Sequence, residues 1–233
     1  MEKTMFLPGF DRFSLIVSLP QNNMEVARAA IRGGADLVKV HINASHRASG
    51  NHFGTLEEER PFLTALLSES PVPVGLVLGQ DPEIIRGDLP ELMRMGFQFG
   101  SVYLGHAPAA FLLQDKITKM LAVDVNSTPE EVRGLKKLGC EYLEGSIIAP
   151  ELYHTPLNAL DLLRYQNLVE FSGLPVIIPT QKKVRPDEVE AIARCGVASL
   201  MIGAVVTGKE AEGIESATAA FKKEIMKLSS RGV

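Results

Sequence analysis

The chain has 233 residues, of which 45% are hydrophobic and 22% are charged, and its net charge at pH 7 is -4. This length and hydrophobic fraction suit a single large soluble domain, residues 1–233, with a core that needs no disulfide or structural metal. The small negative charge excludes a general attraction to nucleic acid or to an anionic membrane, so an anionic ligand would need a local site.

The N-terminal sequence and the cysteines favour a cytoplasmic location. The first thirteen residues, MEKTMFLPGFDRF, contain no apolar stretch of signal-peptide length, and no run in the chain approaches the roughly 18 apolar residues of a membrane span. Cys140 and Cys195 each adjoin a glycine just before an apolar run, which is typical of small structural thiols.

Three segments of the chain repeat one plan: an apolar run, a polar turn, a helix-like stretch with a glycine near its end, and a second apolar run. Proline stands at the first helical position in two of them, at Pro129 and Pro186, and Gly139 and Gly196 follow those helices. The plan predicts βαβ units. The segments are FSLIVSLPQNNMEVARAAIRGGADLVKVHI, KMLAVDVNSTPEEVRGLKKLGCEYLEGSII and LPVIIPTQKKVRPDEVEAIARCGVASLMIGAV.

Eight strands are predicted in chain order, at 15–19, 37–42, 72–78, 101–105, 119–126, 142–148, 175–179 and 199–205. Eight strands in a chain of this length, alternating with helices, predict an α/β fold, the (β/α)8 TIM barrel. A doubly wound open sheet is the alternative, although the chain has no GxGxxG fingerprint to support it.

Alternation along the strands predicts which side chains point into the barrel, because successive residues of a strand face opposite sides. With Val38, Val40 and Ile42 facing the helices, the residues between them face inward. The inward set is Lys39, His41 and Asn43 on the second strand, Ser101, Tyr103 and Gly105 on the fourth, Ala122, Asp124 and Asn126 on the fifth, and Tyr142, Glu144 and Ser146 on the sixth.

Charged side chains in a barrel interior indicate chemistry, since burying them costs several kcal/mol even when they are paired. The candidate catalytic residues are Lys39, His41, Asp124 and Glu144. Lys39 has three roles open to it: a proton-transfer base next to a carbonyl, a Schiff-base nucleophile, or a structural ion-pair partner of Asp124 or Glu144.

The sequence at the ends of the last two strands predicts an anion-binding site. A parallel barrel brings these ends side by side, and the Gly203-Ala204 turn lets backbone N–H groups approach an anion. A short helix beginning near Thr207-Gly208 would add its positive end. The predicted phosphate ligands are Gln181, Lys182, Lys183, Gly203, Ala204, Thr207 and Gly208, with Asn126, Tyr103 and Arg47 as further substrate contacts.

The stretches DVNSTPEEVRGLKKLGCEYL and QKKVRPDEVEAIARCGVASLMIGAVVTG resemble the last half of N-acetylmannosamine-6-phosphate 2-epimerases and, more loosely, of the ribulose-phosphate-binding barrel superfamily. The most specific parts are 124–128 and 202–208. The resemblance implies a (β/α)8 fold, a phosphate held by the loops after strands seven and eight, and a homodimer.

The same resemblance fails at two catalytic positions. The epimerases place a proton-shuttling lysine at the end of the third strand and an acid after the seventh. This chain has Gly75 to Gln80, GLVLGQ, at the first position and Pro179-Thr180-Gln181 at the second. The phosphate site can therefore be carried over, and the epimerase chemistry cannot.

The loop after the second strand, HINASHRASGNHFGTLEEERPFL, is long enough to act as a lid that brings Arg47 or a histidine to the substrate. Glu57, Glu58 and Glu59 within it are expected to cap the next helix. No cofactor is expected; a divalent metal on His41, Asp124 and Glu144 is the alternative, without a motif spacing to support it. His106 and His154 follow strands four and six.

Two functions follow from these patterns. The first is an isomerase, epimerase or aldolase that acts on a small phosphorylated carbohydrate. The second is a non-catalytic barrel that binds a phosphorylated ligand as a sensor or regulatory subunit, which the absence of the third-strand lysine favours.

Overall fold

The computed structural model describes residues 12–231, and side chains within residues 12–228. Eight parallel strands, each paired with the next barrel strand along the chain, close into a barrel in which the last strand pairs with the first. The predicted TIM barrel is confirmed and the open sheet is wrong. The strands of the barrel are β1 (Ser14–Ser18), β2 (Leu37–His41), β5 (Val74–Val77), β6 (Phe99–Tyr103), β7 (Thr118–Val123), β8 (Tyr142–Gly145), β9 (Val176–Pro179) and β10 (Ser199–Ile202), and a separate hairpin holds β3 (Ala44–His46) and β4 (Asn51–Phe53).

Helices surround the barrel and connect consecutive strands. The long C-terminal helix packs on the first helix and closes the outer ring. The helices are α1 (Met24–Arg32), α2 (Leu56–Glu69), α3 (Pro82–Met95), α4 (Ala109–Leu112), α5 (Pro129–Gly134), α6 (Ala159–Ser172), α7 (Val189–Ala193), α8 (Ala204–Thr207) and α9 (Ala211–Arg231). None of the helices in residues 12–231 has the length and apolar character to cross a membrane.

Residues predicted to begin and end helices do so in the structure. Pro129 opens α5 behind the cap residue Thr128, and Gly139 ends the following turn with φ of 83°. Gly196 has φ of 80°, a left-handed conformation that glycine adopts without strain. The acidic run in the first turn of α2 caps the helix, because Glu58 and Thr55 bond each other's backbone N–H groups in a capping box.

An apolar layer closes the lower part of the barrel interior. The ring of Phe99 packs against Gly75 on the neighbouring strand, where a Cβ atom would lie only 1.9 Å from the ring, so the strand needs glycine at this point. The interior layer consists of Ile16, Leu37, Phe99, Met120, Tyr142, Ile177 and Met201. Because every one of these side chains is buried, the layer closes the barrel interior below its carboxyl end. Ser14 and Ser199 lie deeper still, at the amino ends of β1 and β10, and their side chains bond each other.

Several predicted strand ends lie further along the chain than the observed ones. β7 ends at Val123 because Asp124 starts a turn, accepting a 2.8 Å bond from the Asn126 N–H. β10 ends at Ile202 because α8 begins at Ala204. Asp124 and Gly203 therefore stand on the loops just beyond the strands, at the carboxyl end of the barrel, whereas Lys39, His41 and Glu144 lie within β2 and β8.

Candidate active site

An open cavity of about 740 Å³ lies at the carboxyl ends of the strands. Residues from all eight barrel strands or from the loops directly after them line it, as expected for the catalytic face of a TIM barrel. Lys39 and Glu144 lie at its base, and the β3–β4 hairpin forms one wall with Ala44, Ser45, His46, Arg47 and Ala48.

Lys39 and Glu144 form a buried ion pair across the barrel. Lys39 Nζ lies 2.9 Å from Glu144 Oε2, and the side chains are only 4% and 8% exposed. Strand alternation places both inward, above the apolar layer, since Leu37 and Tyr142 two residues earlier belong to that layer. The sequence left Asp124 and Glu144 open as partners of Lys39, and the structure selects Glu144.

Two hydroxyl groups orient the carboxylate of Glu144. Ser101 Oγ donates to Oε2 over 2.8 Å, and Ser146 Oγ donates to Oε1 over 3.3 Å. With Lys39, three donors thus surround the carboxylate. A carboxylate and an ammonium group fixed at the base of a water-accessible cavity can exchange a proton with a ligand and stabilise negative charge on it.

His41 is buried beside this pair. Its ring stacks on Phe53 with the ring centroids 4.5 Å apart, Nε2 lies 3.5 Å from Ser18 Oγ, and Nδ1 has no hydrogen-bond partner within the described residues. Burial, reinforced by the neighbouring His46 and Lys39, holds the pKa of His41 well below its ordinary value. The imidazole is therefore neutral at pH 7.

His46 on the hairpin completes this histidine cluster. Its ring lies 4.8 Å from that of His41, and Nδ1 lies 2.8 Å from Ser49 Oγ. Burial and the charge of Lys39 lower the pKa of His46 to about 4. His46 and Arg47 both line the cavity, and the hairpin is held in place by the 2.8 Å bond from Asn51 Nδ2 to the Pro20 carbonyl.

Tyr103 stands on the opposite wall and is 37% exposed. Burial of its hydroxyl end and the charge of Glu144 raise the pKa of Tyr103 to about 12. The phenol is therefore a hydrogen-bond donor at neutral pH. Its predicted inward position is correct, and it faces the cavity together with the loop residue His106.

Asp124 and Asn126 line the cavity without contacting the ion pair. Asp124 is exposed, and its Oδ1 accepts from the Asn126 N–H and from Ser127 Oγ at 3.3 Å, so it organises the turn before α5. Asn43 does not point inward as predicted. Its backbone turns to φ of 49°, which aims the side chain at Asp88 on α3, 3.0 Å away.

The ends of β9 and β10 reach the cavity through Thr180, Gln181 and Gly203. The Gly203 N–H donates to Thr180 Oγ1 over 3.1 Å. Gln181 is fixed by two bonds, because Oε1 accepts from the Ile148 N–H at 3.1 Å and Nε2 donates to the Tyr153 hydroxyl at 2.6 Å.

The remaining predicted phosphate ligands lie outside the lining of the cavity. The prediction is wrong for Lys182, because its charge is taken up in a buried ion pair with Asp161, 3.2 Å away. Lys183 is exposed and lies outside the cavity lining. The helix expected to begin at Thr207-Gly208 instead ends there, and Thr207 Oγ1 donates to the Gly208 carbonyl. Ala204 begins that helix just behind Gly203.

Sequence reasoning missed Ser18 and Tyr153, which also line the cavity. Ser18 lies at the end of β1 and has the same inward parity as Ile16, so strand alternation would have found it. Tyr153 lies in an irregular loop that carries no periodic signal. His154 follows it with φ of 62°. No group of three His, Cys, Asp or Glu side chains within the described residues is arranged to hold a metal ion.

Comparison with solved structures agrees with the fold. Thiamine phosphate pyrophosphorylase from Pyrococcus furiosus is similar over 95% of this chain and 98% of its own, with 16% identity and a TM-score of 0.65. KGPDC from Streptococcus mutans, solved as a complex, is similar over 92% and 98%, with 15% identity and a TM-score of 0.68. A tryptophan synthase complex from Pyrococcus furiosus is similar over 94% and 100%, with 16% identity and a TM-score of 0.69.

At these low sequence identities, the structural similarity establishes the TIM-barrel fold. No protein-family profile matches the chain, and no curated protein matches it. The residues of the cavity therefore carry the evidence for a particular function.

Proposed function

We propose that the protein is an enzyme that acts on a phosphorylated carbohydrate at the carbon next to a carbonyl group. The observation that carries this proposal is the Lys39–Glu144 ion pair at the base of the open cavity. A buried pair costs several kcal/mol in desolvation, and an apolar layer lies directly below it in the barrel interior. Chemistry gives a reason for the charges to be there.

The pair supports proton transfer directly. Glu144 would remove the proton from the carbon next to the carbonyl, and the Lys39 ammonium would stabilise the negative charge that develops on the carbonyl oxygen. Return of the proton to the same carbon from another direction is an epimerisation, and return to the neighbouring carbon is an isomerisation.

An aldolase uses the same two residues in another way. The Lys39 amine, after losing a proton to Glu144, would attack the carbonyl carbon; loss of water then leaves a Schiff base that activates the neighbouring carbon–carbon bond. Borohydride treatment in the presence of the substrate distinguishes the two routes, because reduction links Lys39 to the substrate only in the second.

We propose that the phosphate binds at the end of β10. Gly203 lines the cavity there beside Thr180 and Gln181, and its lack of a side chain leaves room for an anion against the backbone. One of the similar structures adds support, since its name contains thiamine phosphate. No basic side chain from β9 or β10 lines the cavity, so backbone groups would hold the anion.

Solvent exchange tests the reaction class. The protein is incubated in deuterated buffer with a panel of ketose and aldose phosphates, including N-acetylmannosamine 6-phosphate, and the loss of each substrate's proton next to the carbonyl is followed by NMR. We expect the wild type to exchange this proton in one member of the panel, and we expect Lys39→Met to abolish the exchange. Exchange that survives in a folded Lys39→Met variant overturns the assignment.

Thermal shifts test the phosphate site separately. A phosphate ester at about a hundred times its Kd should add roughly 2.7 kcal/mol to the stability, whereas its dephosphorylated form should not. Gly203→Asp brings a negative charge to the site, and its Cβ meets only ordinary contacts 3.7 Å away. The shift should vanish in Gly203→Asp and persist in the neutral control Gly203→Asn; an equal shift in both would contradict the site.

A non-catalytic ligand-binding barrel is the second candidate. The third barrel strand, β5, presents Gly75 and Val77 to the interior and contributes no ionisable group, unlike β2 and β8. This candidate predicts phosphate-dependent binding without exchange of substrate protons, so the two experiments together separate it from the enzyme.

A further inference from the structure

His41 carries an unsatisfied nitrogen next to the proposed reaction centre. It follows Lys39 by two residues on β2, so both side chains leave the strand on the same side, and both line the cavity. The two groups can therefore reach the same small ligand. Sequence alternation predicts this proximity without indicating what His41 does.

The ring is held firmly while one of its nitrogens lacks a partner. Phe53 stacks on it at an interplanar angle of 23°, and Ser18 Oγ lies 3.5 Å from Nε2, a long contact. Nδ1 has no partner among the described residues, and leaving a buried polar atom unpaired is unfavourable. The ring thus has hydrogen-bonding capacity that the protein itself does not use fully.

The charged groups around His41 keep the ring neutral. Lys39 lies on its own strand and His46 faces it from the hairpin, and both act together with burial to disfavour the imidazolium. Glu144 on β8 is committed to Lys39, Ser101 and Ser146. A neutral imidazole has one donor and one acceptor nitrogen, so it can donate to a carbonyl oxygen without carrying charge.

We infer that His41 is a ligand-contacting catalytic residue that donates a hydrogen bond, as a neutral imidazole, to the substrate carbonyl oxygen beside Lys39. The inference rests on the proposed function for the presence of a carbonyl in the ligand. It gives the site a preference for a ketone over the corresponding alcohol, since the alcohol oxygen carries a proton of its own and stands on a tetrahedral carbon, so the Lys39 and His41 donors meet it less well.

Ligand pairs test this inference without requiring turnover. Ribulose 5-phosphate presents an open-chain ketone, because its C5 hydroxyl is esterified and cannot close the ring, and ribitol 5-phosphate carries an alcohol at the same carbon. The wild type is expected to bind the ketone about ten-fold more tightly, in line with one hydrogen bond. His41→Phe keeps the stack on Phe53, removes both nitrogens and should lose the preference.

A second variant and a control keep the result interpretable. His41→Asn places a polar atom near the position of Nδ1 and should retain part of the preference even if His41→Phe folds poorly. His52→Phe changes a hairpin histidine that is exposed and bonded to Ser45, and should leave the preference unchanged. A merely structural role of His41 would weaken both ligands equally.

The outcomes separate this inference from the proposed function. Wild type that prefers the ketone without exchanging its proton rejects the enzyme and supports the His41 contact, provided that His41→Phe abolishes the preference. If the wild type exchanges the proton and His41→Phe keeps the ketone preference, the proposed enzyme is supported and the His41 contact is rejected. Absence of any ketone preference in the wild type, or of any binding, also overturns it.

Discussion

Lys182 Nζ lies 3.2 Å from Asp161 Oδ2, and the two side chains are 3% and 2% exposed. Lys182 also donates to Thr155 Oγ1 over 2.8 Å. This buried pair fastens the end of β9 to the start of α6 and to the loop that carries Tyr153. Its role is to hold the wall of the cavity in place, next to Gln181, which bonds Tyr153 directly.

Breaking this pair should destabilise the whole domain. Asp161→Asn preserves the shape of the side chain and leaves the Lys182 charge buried without its counter-ion, which is expected to lower the free energy of unfolding by about 3–5 kcal/mol. Urea denaturation measures it. Asp187→Asn, which breaks the exposed pair with Arg185, is the control and should have little effect. Equal losses in the two variants would contradict the assignment.

Removing both charges of the Lys39–Glu144 pair should restore stability but should not restore catalysis. Lys39→Met leaves the Glu144 carboxylate buried beside two hydroxyl groups, so we expect a loss of about 3–5 kcal/mol in unfolding free energy. Lys39→Met with Glu144→Gln removes both charges and keeps acceptors for Ser101 and Ser146, which should recover most of that stability.

Proton exchange should not recover in the same double variant, because the groups that move the proton are gone. Single variants are expected to lose about 10²–10⁴-fold in rate. A stable double variant that still exchanges substrate protons would show that the pair is structural only.

Acid should destabilise the protein through the histidine cluster. The folded pKa of His46 is lowered from 6.5 to about 4, so the unfolded chain binds its proton first as the pH falls. Stability is therefore lost between about pH 6.5 and pH 4, by on the order of 3 kcal/mol for this group, and His41 adds to the loss in the same direction. His46→Gln should flatten the fall in unfolding free energy across that range; equal slopes would contradict the low pKa.

Gly75 should tolerate no side chain while Phe99 is present. A Cβ atom there would lie 1.9 Å from the ring, so Gly75→Ala is expected to cost about 1–3 kcal/mol or more through overpacking. Gly87→Ala is the matched control in α3, where nothing lies within 4 Å of the new atom, and it should stabilise by about 0.5–1 kcal/mol. Thermal denaturation of both variants checks the difference in sign.

The sequence predicts the barrel and the meeting of Lys39 with an acid because both depend on local periodicity. Alternation along β2 and β8 fixes which side chains face inward, and closure of the barrel brings them together. The Lys182 prediction fails for the opposite reason. Its partner Asp161 stands on another element, and only the packing of α6 against the barrel decides that the lysine turns away from the cavity.

Residues of the irregular loops are similarly out of reach of pattern analysis. Asn43 has the right parity, but its left-handed backbone redirects its side chain. His46 occupies a hairpin whose register, Ala44 opposite Phe53, sets the histidine cluster and is not encoded by any simple period. The part of the site contributed by strands is therefore predictable, and the part contributed by the hairpin is not.

The apolar layer around Phe99 closes the barrel interior below the cavity, so the cavity opens only at the carboxyl ends of the strands. Under the proposed function, a product therefore has to leave through the same opening by which the next substrate enters. Product and substrate would then compete for the cavity, and accumulated product would raise the apparent KM at an unchanged maximal rate.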